Sequence, residues 1–109
     1  MHKKAFIFAD IQTGVGLGNF SRCTALLNIL EQNNIQATIL DSSLLLSSYM
    51  DLELKKCNLA VIDSYVLELE SYQKVANLAP HCIFFDDTLR LPYPKGILLN
   101  NSPSASKAI

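Results

Sequence analysis

Ala5-Phe6-Ile7-Phe8-Ala9-Asp10-Ile11-Gln12-Thr13-Gly14-Val15-Gly16-Leu17-Gly18-Asn19-Phe20-Ser21-Arg22 is the stretch from which the fold is read. Ala5 to Ala9 is an uninterrupted apolar run, as in a strand buried on both faces. From Asn19 to Asn33 the apolar residues Phe20, Cys23, Leu26, Leu27 and Leu30 recur at helical spacing. Between them lies a glycine-rich turn. Strand, glycine turn and helix start together make an anion site, because glycines let a ligand come close and the unpaired amides of a first helical turn point at its charge. Asn19 is expected at the N-cap, where its side-chain oxygen can accept from a following amide. The spacing is G-x-G-x-G, so it is not a dinucleotide fingerprint, and no Walker lysine follows. Two readings stand together: a seat for a phosphate or sugar, and a tight turn with a well-capped helix.

Outward from this unit, apolar runs alternate with helical patterns. Strands are expected at Lys4–Ala9, Gln36–Leu40, Leu59–Ile62, Cys82–Phe85 and Gly96–Leu99. Helices are expected at Asn19–Asn33, at Leu44–Lys56 with Leu45, Tyr49, Leu52 and Leu54 as its apolar face, and at Glu68–Leu78, stopped by Pro80. Continuous apolar strands separated by single helices predict an α/β fold: a Rossmann-like, doubly wound parallel sheet of about five strands with order 3-2-1-4-5. The domain is expected over 1–101, and 102–109 (Ser-Pro-Ser-Ala-Ser-Lys-Ala-Ile) reads as a linker or disordered tail.

In such sheets ligands bind beyond the carboxyl ends of the strands. Polar residues gather there: Asp10 with the glycine turn, Asp63-Ser64-Tyr65, Asp86-Asp87, and Asn100-Asn101-Ser102. A functional rim is therefore expected on that edge. Each carboxylate also has an ordinary role open to it, as a cap for the next element.

Composition removes several classes. Nine basic and ten acidic residues leave a net charge of −1, which is no footprint for nucleic acid or an acidic membrane. Half the residues are hydrophobic and the mean hydropathy is +0.22, enough for a core. No apolar stretch approaches the about 20 residues of a membrane span, and no signal peptide is visible, so the chain is expected in the cytoplasm. Cys23, Cys57 and Cys82 show no C-x-x-C spacing and adjoin apolar runs, as buried free thiols do. No metal site or cofactor is expected.

The segment from Asp10 to Leu26, with Val61-Ile62-Asp63-Ser64-Tyr65, Phe85-Asp86-Asp87 and Leu98-Leu99-Asn100, resembles the nucleotide-sugar hydrolase family of pseudaminic acid synthesis. That family removes UDP from a UDP-linked diacetamido-trideoxy sugar. Its fold is similar to that of two-domain GT-B glycosyltransferases, including the enzyme that completes lipid II. The resemblance spans nearly all of this chain but only the N-terminal half of the family's length. Of the family pattern R-x-D-x-x-x-x-x-G-x-G-H-x-x-R-C, Asp10, Gly16, Gly18, Arg22 and Cys23 match.

The resemblance implies substrate-binding roles for Asp10, Gly16, Gly18, Arg22, Asp63, Tyr65 and Asn100, toward a UDP-linked amino sugar. Two positions depart from it. Phe8 stands where the family has arginine, and Asn19 where it has the histidine taken as catalytic base. An amide has no comparable basicity, and general base catalysis contributes about a hundred- to ten-thousandfold. The nucleotide would be held by a C-terminal domain absent from these 109 residues. The expectation is thus an N-terminal, hydrolase-like domain inactive alone, completed by a further domain or partner chain. The alternatives are a stand-alone, non-catalytic domain that binds a sugar nucleotide or a partner, and the acceptor half of a GT-B glycosyltransferase.

Overall fold

The computed structural model describes residues 3–11, 17–85, 94 and 97–99. Most of the glycine turn with Gly14 and Gly16, the Asp86-Asp87 pair, Asn100 and the 102–109 tail lie outside the described residues. In chain order the elements are β1 (Lys3–Ala9), α1 (Leu17–Gln32), β2 (Ile35–Asp41), a 3₁₀ turn (Ser42–Leu46), α2 (Tyr49–Lys56), β3 (Leu59–Asp63), α3 (Leu69–Leu78), β4 (Cys82–Phe85) and β5 (Ile97–Leu99). The strands form one parallel sheet, and β5 is a three-residue strand at its edge. The fold is α/β and Rossmann-like, as the sequence predicts.

The strand order is β2-β1-β3-β4-β5, not the expected 3-2-1-4-5. Burial explains the correction. In β3, Ala60, Val61, Ile62 and Asp63 are all buried, so that strand needs a neighbour on each side and a layer on each face. In β2, Gln36 and Thr38 are exposed, which suits an edge. The chain therefore steps from β1 outward to β2, then crosses back over β1 to β3.

This change of direction sorts the helices. With crossovers of one hand, a reversal along the sheet puts the connecting helices on opposite faces. Ala5, Ile7 and Ala9 pack with Cys23 and Leu30 of α1 on one face. On the other, Phe8, Ile62 and Phe84 pack with Leu45, Leu54, Tyr72 and Val75. The strand period of two makes this division. Tyr72 meets Phe84 edge to face at 5.1 Å, a geometry that aromatic pairs favour.

Two helix expectations are corrected. First, α1 starts at Leu17, so Asn19 is its third residue and lies in the first turn, not at the cap. The helix ends at Gln32, and two residues on Asn34 has a φ of 65°, the left-handed conformation that asparagine tolerates after a helix. Second, the expected helix Leu44–Lys56 is broken at Ser47-Ser48. The Ser47 hydroxyl accepts from the Tyr49 amide, a local bond that competes with helical pairing. The break shifts the phase of the apolar stripe. Leu45, Met50 and Leu54 are buried, while Tyr49 and Leu52 are exposed. Lys74 of α3 secures the join, donating to the carbonyls of Leu45 and Ser47 and pairing with Asp51 at 2.6 Å.

Candidate functional site at the carboxyl edge

β1 and β3 are neighbours from which the chain leaves in opposite directions, so their carboxyl ends form the switch point where open α/β sheets bind ligands. Ala9 is level with Asp41 on one side and Asp63 on the other. Asp10, one residue further, is thereby set between the ends of β2 and β3.

Asp10 is buried and fully engaged. Its Oδ1 accepts from the hydroxyls of Ser42 at 2.5 Å and Ser64 at 2.7 Å. Its Oδ2 accepts from the Tyr65 amide at 2.7 Å. Three loops, from β1, β2 and β3, meet on one carboxylate. Among the described residues its donors are all uncharged. Ser64 extends the network: its Oγ accepts from the amides of Val66 and Leu67, and its carbonyl accepts from the Tyr72 hydroxyl.

Asp63, 1% exposed, is served differently. Arg22 grips it through two bonds, Nε to Oδ2 and Nη2 to Oδ1, each 2.7 Å. The guanidinium also lies 4.8 Å over the Phe85 ring. Cys23 donates from Sγ to Asp63 Oδ2 at 3.5 Å. Burial, then the neighbouring Asp63 charge, pushes the Cys23 thiol from 9.0 up to about 12, so it stays protonated and unreactive near neutrality.

Of the residues expected at the site, Asp10, Arg22, Asp63 and Tyr65 come together on this edge. Gly18 and Asn19 lie in the first turn of α1. Gly16 and Asn100 are outside the described residues. Phe8 is fully buried on the opposite face, in the α2 and α3 core.

Ser42 lies outside the rim read from the sequence, and Ser64, named there with Asp63 and Tyr65, has no role assigned to it by that reading. Their signal was present: each directly follows a strand-ending aspartate, as Asp41-Ser42 and Asp63-Ser64. Asp41 itself caps the 3₁₀ turn by accepting from Ser43 N, and also accepts from Ile11 N. Around the polar centre, Ile11, Leu46, Tyr65 and Val66 are exposed.

Chemically, this edge is a hydrogen-bonding platform. Asp63 is paired with its arginine, and Asp10 is an acceptor already supplied with donors. Among the described residues no group of three His, Cys, Asp or Glu could hold a metal ion, and no helix is long and apolar enough to cross a membrane. No family model matches the chain, and no curated protein or solved structure matches it either.

Proposed function

We propose that this chain is the sugar-facing, Rossmann-like half of a cytoplasmic protein resembling the UDP-sugar hydrolase of pseudaminic acid synthesis, and that alone it binds without hydrolysing. The observation that carries the reading is the meeting of Asp10, Arg22, Asp63 and Tyr65 at the β1/β3 switch point. These are positions that match the family's motifs, far apart in sequence. Tyr65, half-exposed at the rim, offers its phenol to an acetamido or ring oxygen. Exposed Ile11, Leu46 and Val66 beside it suit cover by a nucleotide-holding domain or a partner chain.

Absence of turnover follows from two positions. Asn19 cannot accept a proton at neutral pH as histidine does. Phe8 is buried against Leu45, Tyr72 and Phe84, in a core that has no place for a guanidinium reaching the rim. A stand-alone binding domain is the second reading, favoured by the way Asp10 is satisfied within its own chain.

The test is amide-resolved NMR titration of the 109-residue chain with UDP-N-acetylglucosamine, alongside an assay for released UDP. Saturable shifts at the Ile11 and Tyr65 amides without UDP release are expected. Unperturbed rim amides would overturn the binding site, and measurable release would overturn the claim of inactivity.

A further inference from the structure

β2 is the long outer edge of the sheet, and it carries none of the devices that keep such edges apart. Among the described residues its seven positions, Ile35–Asp41, pair on one side only, with β1. The register runs unbroken from Lys3 opposite Ile35 to Ala9 opposite Asp41, so no bulge bends the strand away. From Ile35 to Leu40 there is no charge and no proline. The other edge is different: β5 is three residues long and follows Pro94 and Lys95 in sequence. Short length, proline and lysine are what blunt an edge; a long, neutral, unbulged one is a template for a further strand.

Charge selects the strand that fits. The amino end of the β1–β2 pair carries Lys3 and Lys4, both exposed, and its carboxyl end carries Asp10 and Asp41. A second copy of β2 lying antiparallel, about a two-fold axis normal to the sheet, sets each lysine end beside the other copy's aspartate end. With the axis at Thr38, Gln36 faces Leu40 of the second copy and Ala37 faces its Ile39, so no like charges meet along the seam. Ile35, Ile39 and Leu40, half-buried in the single chain, gain cover there. Such a contact uses one patch twice and closes at two chains. The helix layer also has room for it. α1 packs on β1 and β2, with Cys23 and Leu30 against Ala5, Ile7 and Ala37. Strands about 4.8 Å apart then place the two copies of α1 about 10 Å apart across the axis, which is a helix packing distance.

We propose that β2 is the interface between two copies of this chain, paired antiparallel about Thr38 so that one sheet runs through both. The proposal is independent of the sugar-nucleotide reading, whose site lies at the carboxyl ends of β1 and β3.

The experiment is sedimentation equilibrium of the 109-residue chain, with hydrogen exchange of its amides read by NMR. A mass of twice 12.1 kDa is expected by roughly 100 μM. In a free edge strand every second amide faces solvent and exchanges fast. In the paired strand successive amides of β2 should all be slow. Gln36→Lys with Thr38→Lys places like charges across the axis, at positions exposed in the single chain. That variant should associate about tenfold or more weakly, and unchanged circular dichroism separates lost pairing from lost folding. A chain still monomeric at roughly 1 mM, or a dimer whose alternate β2 amides exchange fast, would overturn the proposal. So would unchanged association of the folded variant.

Discussion

Asp10 and Asp63 stand at the ends of adjacent strands, one residue out of level and both buried, yet the protein stabilises them by opposite means. Asp63 is answered by a full positive charge on the α1 side of the sheet, through the two bonds from Arg22. Asp10 is answered by two hydroxyls and an amide from the loops beside it. The difference follows the layers. A long, cationic side chain rising from the first turns of α1 can reach the end of β3. Asp10 sits where three loops converge, and short donors suffice there. One carboxylate fastens a helix to the sheet; the other fastens the rim to itself.

If that contrast is right, removing the cation is the costliest change. Arg22→Ala leaves a carboxylate 1% exposed without its charge partner. Breaking such a pair from one side costs about 3–5 kcal/mol, and the partial exposure of Arg22 points to the lower end. Urea unfolding followed by circular dichroism measures it. A loss under about 1 kcal/mol would mean that the pair behaves as a surface bridge.

Asp10→Asn should cost less, about 2 kcal/mol, because shape is kept while bonds to a charged acceptor become bonds to an amide. The same unfolding experiment compares the two directly. An effect as large as that of Arg22→Ala would erase the distinction between a charge-paired and a dipole-served carboxylate.

The last effect is nil at neutrality and emerges only as the pH is raised. The Cys23 thiol beside Asp63 has its ionisation pushed from 9.0 to about 12, and burial carries Cys57 to about 11. Below pH 9 both thiols are protonated whether the chain is folded or not, and their contribution to stability is fully present. Above that, the unfolded chain releases protons that the folded chain keeps. Stability then falls by up to about 1.4 kcal/mol per pH unit for each thiol, until the folded-state value is passed. Unfolding midpoints for the native chain and Cys23→Ala across pH 8–11 should diverge, with the variant losing less. Parallel curves would show that Cys23 does not ionise differently in the two states.

Much of the fold was legible because hydrophobic periodicity is local. The runs Ala5–Ala9, Leu59–Ile62 and Cys82–Phe85 announce strands, and the spacing of Cys23, Leu26, Leu27 and Leu30 announces a helix. The aspartates at strand ends marked the edge on which the polar side chains of distant loops meet. The split at Ser47-Ser48 was harder to see, since leucines on both sides continue a helical pattern through it. The pairing of Arg22 with Asp63 spans 41 positions. No local signal relates the two.

By itself, the sequence determined the alternation of strands and helices, the buried thiols and the edge on which polar residues collect, because each depends on neighbours a few positions away. Only the tertiary structure decided that β3 lies beside β1, that Arg22 pairs with Asp63, and that Ser42 and Ser64 serve Asp10. Those outcomes depend on which strand is covered on both faces and which donors then come within about 3 Å of an acceptor. That is a property of packing between distant segments.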